Sequence, residues 1–408
     1  MRNDKNGKEW LVLNKLAYDN PIRRQVLSLP DLLEAQLESC FSGDKLYELM
    51  SIAEIFDVRG IILTGAGDSF AAAGAARSVL EKYCEVFYCN AVNSMEFTRV
   101  MTGKDVGAGS PGSPLVIAIS ANGGTARVVE VLQKATELGA FPILITNNPE
   151  SRAAKAAKRV FVMDTPKMEN DFPGLRSYFA SLIGLFSIAC RMGHVKGVLP
   201  PIAPISFQEA IRDYIMRLKP YLEEIDNQMF ELAQKWHKFE RFDFIGDDQG
   251  LYSALFGLEK FVECNGAHCA YDDSEGWCHV NFFLKDPESV GTVVFADKNR
   301  KSFSRIQETV WSACEIGRPT LVITNADRLL FDKRAEVCEI PVAKPGYEWL
   351  SVLAEYVPAS LLAGFCAALD GRRFFHGFDT KTNTWDRSVR HFNDGVSTMS
   401  NSKIEIHT

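Results

Sequence analysis

The sequence has neither an excess of positive charge nor a long apolar run. Its 45 Lys and Arg residues are outnumbered by 52 Asp and Glu residues, for a net charge of −7, which argues against binding to nucleic acid or to an anionic membrane surface. The stretch YFASLIGLFSIAC is shorter than the run of about 20 residues that a membrane span needs. The N-terminus, MRNDKNGKEW, contains no apolar signal region. We therefore expect a cytoplasmic protein that binds neither nucleic acid nor membrane.

Disulfide and metal-binding patterns are also scarce. The ten cysteines form no CxxC pair, and without an export signal they are expected to be reduced. One segment holds residues of the types that bind zinc, namely Cys264, His268, Cys269, Cys278 and His279. A helix and a strand are expected to run through it, which favours buried thiols instead. We predict no metal and no cofactor.

Short buried strands alternate with helices along the chain. The segment GIILTGAG, residues 60–67, has the pattern of a strand that enters a glycine turn, and DSFAAAGAARSVLEKY has helical periodicity. Residues 116–147 have the pattern of a strand, a small-residue turn, a helix and a second strand. This alternation predicts an α/β protein with parallel sheets covered by helices on both faces.

The pattern occurs twice. ELGAFPILITN (137–147) returns as EIGRPTLVITN (315–325), GIILTGAGDS is echoed by FDFIGDDQGL, and SPLVIAIS by SVGTVVFA. The spacing of roughly 180 residues predicts two copies of one α/β domain. The predicted organisation is an N-terminal helical segment (1–52), a first domain (53–200), a linker helix or helix pair (201–240), a second domain (241–372) and a C-terminal tail (373–408).

Two glycine-containing turns, GAGDSF and SANGGT, follow strands of the first copy. Glycine lets a ligand approach the backbone, and a helix N-terminus attracts anions. Because both turns are expected at one sheet edge, they favour phosphate binding; nucleotide binding is a weaker hypothesis, since neither fits GxxxxGK[ST] or GxGxxG well. The alternative is that Ser69 and Thr125 only cap helices. The candidate phosphate ligands are Gly67, Ser69, Ser120, Asn122, Gly123 and Thr125.

These turns, with the strand ILITN, resemble the SIS (sugar isomerase) family of phosphosugar-binding domains. The resemblance covers nearly the whole chain and implies two tandem SIS domains, each a flavodoxin-like, three-layer αβα sandwich. The family's phosphate loop, S-x-S-G-x-T, has Asn122 here in place of its second Ser, and its G-T-S turn has Asp68 in place of Thr. Asp68 would repel a phosphate unless its side chain points away or meets a sugar hydroxyl. The second copy has ADKNRKS, without glycine, so no phosphate site is expected there.

The resemblance also implies catalytic residues. Glu263 and His279 are sixteen positions apart, like a helix glutamate and a histidine in the isomerase half of glucosamine-6-phosphate synthase and in the fructosamine-6-phosphate deglycases. The implied roles are a base that moves a proton between C1 and C2 of a sugar, and a partner that opens the ring or protonates a leaving group. The alternatives are an exposed helix glutamate and a structural histidine.

Three further positions are weaker matches to the sugar site. Arg176 and Ser177 occupy the place where the family closes the site between domains, although Arg176 could equally be a surface arginine. Lys403 lies one position from the family's C-terminal lysine, and Phe256 stands where the synthase has a further glutamate. The latter differences count against amination of fructose 6-phosphate.

The resemblance thus implies an enzyme that acts on a phosphosugar without a metal. The two candidate activities are a fructosamine-6-phosphate-type deglycase and an aldose–ketose isomerase, both passing through an enediol or enolamine. The alternative is a sugar-phosphate sensor without catalysis. In the family the histidine that matches His279 reaches into the neighbouring subunit's active site, which implies a homodimer or a higher homo-oligomer.

Overall fold

The structure, a computed structural model, describes residues 13–107, 114–169, 172–372 and 399–408. It also gives the backbone of two short antiparallel strand pairs, Arg2–Asn3 with Glu9–Trp10 and Phe378–Asp379 with Thr384–Trp385. Most of the predicted tail, residues 373–398, therefore lies outside the described side chains.

The first sheet has five parallel strands. They are β1 (Gly60–Thr64), β2 (Tyr88–Ala91), β3 (Leu115–Ile119), β4 (Phe141–Thr146) and β5 (Arg159–Val162). Their order is β2-β1-β3-β4-β5, with Ile61 opposite Leu115 and Leu115 opposite Phe141. This is the flavodoxin-like order, whose topological switch point lies between the first and third strands.

The second sheet repeats this topology. Its strands are β6 (Arg241–Gly246), β7 (His268–Asp272), β8 (Val290–Ala296), β9 (Thr320–Thr324) and β10 (Glu336–Glu339). They are parallel and lie in the order β7-β6-β8-β9-β10. Each of the three sequence echoes falls on equivalent strands, so the predicted α/β fold with two copies of one unit is confirmed.

Helices connect the strands and fill the space between the sheets. Those up to the end of the first unit are α1 (Pro21–Leu27), α2 (Leu29–Cys40), α3 (Gly43–Leu49), α4 (Ile52–Asp57), α5 (Asp68–Tyr83), α6 (Ser94–Arg99), α7 (Gly103–Val106), α8 (Ala126–Glu137), α9 (Arg152–Ala156) and α10 (Arg176–Val195). The later ones are α11 (Ala203–Trp236), α12 (Gln249–Asn265), α13 (Ser274–His279), α14 (Phe303–Glu315) and α15 (Val352–Leu369). The segment predicted as a linker helix or helix pair is one helix of 34 residues, α11, with Pro220 inside it.

Alternate strand residues face different cores, as the two-residue period of a strand requires. In β1 and β3, Ile61 and Ile117 face a central core between the two sheets, whereas Ile62 and Val116 face an outer core under α8. The second sheet divides likewise between the central core and its own outer core under α14. Helices α5, α10, α11, α12 and α15 lie in the central core, so the two units share one hydrophobic interior.

Two of these central helices are unusually apolar. Helix α10 and the segment Glu348–Leu369, which includes α15, are long and apolar enough to cross a membrane by length and composition. The helix around YFASLIGLFSIAC thus extends to 20 residues, longer than its apolar run suggested. In the structure 83% and 89% of the two most apolar windows are buried, which is the environment of core helices in a folded α/β protein.

Candidate active site

Both glycine-containing turns lie at the switch point of the first sheet. Strands β1 and β3 are parallel neighbours, with Thr64 opposite Ala118, so the turns that follow them emerge side by side at the carboxyl edge. Ligands of open α/β sheets bind in the crevice at this point. The expectation that the two turns share one sheet edge is met.

The two helices that leave this crevice begin without a side-chain cap. Helix α5 has Gly67 as its N-cap, at φ 55°, and helix α8 has Thr125, and neither N-cap makes a side-chain hydrogen bond to its helix. The alternative that Ser69 and Thr125 only cap these helices is therefore wrong. The Ser69 and Phe70 N–H groups bond to the carbonyls of Ala66 and Gly67, and the Val128 N–H bonds to that of Thr125. The first one or two N–H groups of each helix, and the positive ends of their dipoles, are what the turns offer to an anion.

The turn between β3 and α8 is held in one conformation by its own side chains. The buried Ser120 Oγ accepts a hydrogen bond from the Gly123 N–H at 3.2 Å, and Asn122 Oδ1 accepts one from the Gly124 N–H at 2.9 Å. Gly123 has φ 66°, and a Cβ there would lie 2.0 Å from Ser151 Oγ. Asn122 thus orders the turn, and Gly123 is required both by its backbone angle and by the packing of Ser151.

A buried lysine connects the first turn to the second unit. Lys260, on α12, is fully buried, and its Nζ donates to Asp68 Oδ2 at 2.7 Å, to the Gly174 carbonyl at 3.0 Å and to Glu263 Oε2 at 2.5 Å. Asp68 therefore points towards α12 and is ion-paired with Lys260, which is the case in which the sequence allowed an aspartate beside a phosphate. All three donors of the lysine ammonium are used.

Three carboxylates surround this single cation. Glu259 Oε1 lies 3.9 Å from where a Cβ at Gly67 would lie, which places Glu259 beside the first turn. Burial, and then the charge of Asp68 and a hydrogen bond to it, raise the pKa of Glu259 to about 10. Burial also raises the pKa of Glu263 to about 7; Lys260 opposes the shift and the charge of Asp68 adds to it. The cluster therefore contains one carboxyl that is protonated at neutral pH and one that titrates there.

Glu263 is consequently not the exposed helix residue of the alternative hypothesis. Its side chain is 28% exposed and bonded to a fully buried ammonium. Burial alone would lower the pKa of Lys260, but the charges of Asp68 and Glu263 raise it above its usual value. A protonated Lys260 and a carboxylate poised near neutrality are the kind of arrangement that acid–base chemistry uses.

The segment before α10 forms another wall of the crevice. Gln25 on α1 holds it: its Nε2 donates to the Pro173 carbonyl at 2.8 Å, and its Oε1 accepts from the Leu175 N–H at 3.0 Å. Arg176 begins α10 and is 9% exposed, so the hypothesis of a surface arginine is wrong. Ser177 Oγ lies 3.1 Å from where a Cβ at Gly174 would lie, close to the carbonyl that Lys260 binds.

His279 lies apart from this cluster within one chain. It ends helix α13, its side chain is 72% exposed, and its Nε2 is 2.9 Å from Glu275 Oε1. Exposed apolar side chains follow it directly at Val280, Phe283 and Leu284. The structure thus does not bring His279 to Glu263 in one chain, and the contact with Glu275 is compatible with the alternative of a structural histidine.

The last ten residues lie over the SANGGT turn between β3 and α8. Arg152 Nη1 donates to the Ser400 carbonyl at 2.6 Å, and Ser400 Oγ lies 3.6 Å from where a Cβ at Gly124 would lie. Arg127 on α8 donates to the carbonyl of Lys403. The ammonium of Lys403 pairs with Glu405 and is 82% exposed. Its backbone is therefore fixed near α8, while its side chain extends into solvent.

The cysteine–histidine segment does not converge on a common point. Cys264 is buried, Cys269 Sγ lies 3.6 Å from the Ala267 carbonyl, and Cys278 Sγ is 3.8 Å from Thr309. In the part of the chain that the structure describes, no three His, Cys, Asp or Glu residues are placed to hold a metal ion. All ten cysteines are unpaired thiols.

The equivalent crevice of the second sheet is built differently. Asp248 takes the place of Gly67 as N-cap of α12, at φ 52°. In the turn after β8, Asp297 Oδ1 accepts hydrogen bonds from the Asn299 N–H and from Asn325 Nδ2, both at 2.8 Å. Arg300 is buried against Glu355 at 2.6 Å. Asp248, Asp297, Asn299 and Arg300 line a cavity of about 460 Å³. Because Arg300 is paired with Glu355 and the Asp297 carboxylate would repel an anion, the absence of a phosphate site in this turn stays a prediction.

The fold defines a class: a protein of two doubly wound α/β units, in which a buried lysine and carboxyl groups lie beside two glycine-containing turns at the switch point of the first sheet. The family model for the SIS domain matches residues 54–188. The chain therefore contains an SIS domain in its first half, and its two equivalent sheets fit an architecture of two such domains.

Relatives of this chain support that assignment. It is 24% identical over 320 residues to a glutamine–fructose-6-phosphate aminotransferase (isomerizing) of Aquifex aeolicus; the match covers 76% of this chain and 49% of the relative, so the chain spans about half of that protein. The C-terminal domain of glucosamine-fructose-6-phosphate aminotransferase from Francisella tularensis has the same fold, with a TM-score of 0.75, 17% identity, and coverage of 89% of this chain and 99% of that one. Tagatose-6-phosphate ketose/aldose isomerase from Escherichia coli also has this fold, with a TM-score of 0.68, 15% identity, and coverage of 92% of this chain and 100% of that one.

Two residues of the cluster were not among the candidates drawn from the sequence. Lys260 and Glu259 precede Glu263 by three and four positions, so all three share one face of α12. The available signal was a lysine between Phe256 and Phe261 on a helix with a buried face, since a lysine there must meet a carboxylate. What the helix spacing could not supply was Asp68, which comes from the other unit.

Proposed function

We propose that this protein is a phosphosugar enzyme that moves a proton at the carbon next to a sugar carbonyl. The carrying observation is the geometry of Glu263, hydrogen-bonded to the fully buried Lys260 together with Asp68, beside a crevice with two helix N-termini that have no side-chain cap. Burial raises the pKa of Glu263 to about 7. In this proposal the phosphate binds to Ser69, Ser120, Asn122, Gly123 and Thr125, near Gly67. The sugar extends towards α12, with Arg176 and Ser177 closing the side and Lys403 approaching from the tail.

The chemistry requires a base and a second proton donor. Glu263 takes the proton from the carbon next to the carbonyl, and the product is an enediol or, from a ketosamine, an enolamine. Returning the proton to the neighbouring carbon completes an aldose–ketose isomerisation. From the enolamine, the same proton return gives an imine at C1; water adds to this imine, and the amine leaves in protonated form as the aldose forms, which completes a deglycase reaction. We favour the fructosamine-6-phosphate-type deglycase and keep the isomerase as its close alternative. No step requires a metal ion.

His279 enters this proposal from a second copy of the chain. Its exposure, and the apolar Val280, Phe283 and Leu284 that follow it, support a surface covered by another subunit. The active assembly is then a homodimer or higher homo-oligomer, in which the histidine of one subunit completes the site of its neighbour. A monomeric mass in light scattering, measured under conditions of full turnover, would contradict this part of the proposal.

Substrate screening tests the function directly. Hexose 6-phosphates and ketosamine 6-phosphates should raise the melting temperature, because a ligand that binds only the folded state stabilises it by mass action. Turnover of the same compounds should be lost in Glu263→Gln and kept in Glu34→Gln, an exposed glutamate paired with Arg212. A sugar-phosphate sensor, the second candidate function, would bind the ligand without turnover in either form.

A further inference from the structure

Asp68 stands where it can compete with Glu263 for one ammonium group. The two carboxylates bond to the same buried Lys260 Nζ, from α5 of the first unit and from α12 of the second. One positive charge cannot neutralise two carboxylates fully. The negative charge on either side chain therefore reduces the electrostatic stabilisation that Lys260 gives to the ionised form of the other.

Glu259 supplies the second partner of Asp68. One oxygen of each residue, Asp68 Oδ1 and Glu259 Oε2, is buried without a hydrogen-bond donor when both groups are treated as carboxylates. A proton on Glu259, donated to Asp68, gives both atoms a partner and agrees with the raised pKa of Glu259. Asp68 then receives two hydrogen bonds, from Lys260 and from Glu259. Among the described residues, the side chain of Glu263 receives one, from Lys260.

Of the other titratable groups near the cluster, two tyrosines and one cysteine carry no charge at neutral pH, and the charged ones have partners of their own. Tyr178 on α10, Tyr271 on β7 and Cys264 on α12 are close to it, and burial raises the pKa of each. Arg372 donates to the carbonyl of Asn265 at the end of α12, at 2.7 Å. From α15, Glu355 is committed to Arg300 and Ser253. Asp68 and Lys260 are therefore the charged groups that act most directly on Glu263.

We propose that Asp68 is a positioning residue for Glu263: by competing for Lys260, and by being held in place through a hydrogen bond from protonated Glu259, it keeps Glu263 basic enough to accept a carbon-bound proton. This inference rests on the proposed function for its chemical purpose. The effect of the Asp68 charge on Glu263 is a property of the protein without ligand, so it can be measured without any substrate. The aspartate that replaces the family's threonine in the G-T-S turn thereby acquires a role.

The test is a titration of Glu263 in the whole protein. Glutamate labelled with ¹³C at the side-chain carboxyl allows the midpoint to be followed by NMR, and the resonance is assigned by its loss in Glu263→Gln. The midpoint is expected near neutral pH in the unmodified protein. In the double variant Asp68→Asn/Glu259→Gln it should fall by about one pH unit or more, the usual effect of removing a neighbouring like charge.

The double variant is needed because Glu259 could ionise once Asp68 is neutral and take over its charge. Glu259→Gln alone is the matched control: glutamine can still donate to Asp68, so the Glu263 midpoint should stay within a few tenths of a unit. Lys260→Met should raise the midpoint, the opposite direction, and it also shows that the resonance reports this cluster. If the double variant folds poorly, Asp68→Asn alone should still lower the midpoint, by a smaller amount.

The kinetic counterpart is the acid limb of the pH profile of kcat/KM, which should move to lower pH in the double variant together with the NMR midpoint. An unchanged midpoint in a folded double variant would overturn the inference even if phosphosugar turnover is found. Conversely, a shifted midpoint in a protein that turns over no phosphosugar would leave the electrostatic coupling intact and refute the proposed function.

Discussion

Thr125 allows the phosphate crevice to be tested separately from the stability of the helix it precedes. It is the N-cap of α8, yet its side chain makes no capping hydrogen bond. Replacing it with Ala should therefore leave the helix almost as stable as before. If its hydroxyl donates to a phosphate, the loss is about 1–2 kcal/mol of binding free energy, which corresponds to a roughly 5- to 30-fold rise in Kd.

The matched control is a residue of the same kind that does cap. Ser51 forms a capping box with Glu54 at the start of α4: Ser51 Oγ accepts from the Glu54 N–H at 3.3 Å, and Glu54 Oε2 accepts from the Ser51 N–H at 2.9 Å. Ser51→Ala should cost about 1 kcal/mol of unfolding free energy and leave phosphate affinity unchanged. Thr125→Ala should thus weaken phosphate binding and leave the free energy of unfolding almost unchanged, whereas Ser51→Ala should do the reverse.

The assay combines calorimetric titration with fructose 6-phosphate and with inorganic phosphate and, for each variant, thermal unfolding without ligand. Ser120→Ala is a second test, although it also removes the acceptor of the Gly123 N–H. Unchanged affinity in both Thr125→Ala and Ser120→Ala would refute the assignment of the crevice. A loss of stability in Thr125→Ala equal to that in Ser51→Ala would show that Thr125 is a cap after all.

The remaining predictions concern catalysis, assembly and stability. Glu263→Gln and His279→Asn should each lower kcat by about 10²–10⁴-fold while phosphosugar binding is kept. The double variant should be little worse than the poorer single variant. Additive losses in the double variant would argue against a common catalytic step. Because Glu263 must be ionised to act, kcat/KM should fall as the pH drops through about 7, and this limb should vanish in Glu263→Gln. Subunits carrying Glu263→Gln mixed with subunits carrying His279→Asn should regain some activity, and none would be regained if both residues acted within one chain. Activity should survive EDTA; loss on chelation and recovery with zinc would return attention to the cysteine–histidine segment. Asp243→Ala should destabilise the protein by about 3–5 kcal/mol in urea unfolding. The reason is that it removes the carboxylate partner of the fully buried Arg318, bonded at 2.8 Å, and the acceptor of the Trp277 N–H at 2.9 Å. Glu34→Ala, in an exposed pair, should cost less than about 1 kcal/mol.

The architecture was predictable because it rests on local, periodic signals. Buried strands such as GIILT, helical periodicity after Asp68, and the repeat of LITN about 180 residues later each follow from backbone geometry and from the need to bury one face of an element. The flavodoxin-like arrangement was implied by the resemblance to the SIS family and not by these local signals. Whether residues 201–240 form one helix or a pair was left open; they contain one helix, α11, which accommodates Pro220 in its interior.

The crevice was only partly predictable. That two turns at neighbouring strand ends lie side by side is a consequence of parallel pairing, and hence of sequence pattern. The capping alternative needed coordinates, because whether a hydroxyl turns towards its own helix depends on a side-chain rotamer and not on residue type. The burial of Arg176 likewise depends on Gln25, far away in the chain, which holds the preceding segment.

The sequence by itself thus determined the α/β units, their repetition and the place of the two glycine-containing turns at neighbouring strand ends, since each follows from local patterns in the chain. The electrostatics of the cluster was decided only in the tertiary structure. Asp68 and Lys260 are 192 residues apart, and they meet because α5 and α12 pack together in the shared core. Whether a carboxyl is protonated depends on its desolvation and on the charges a few ångströms away, and in this protein those charges come from both units.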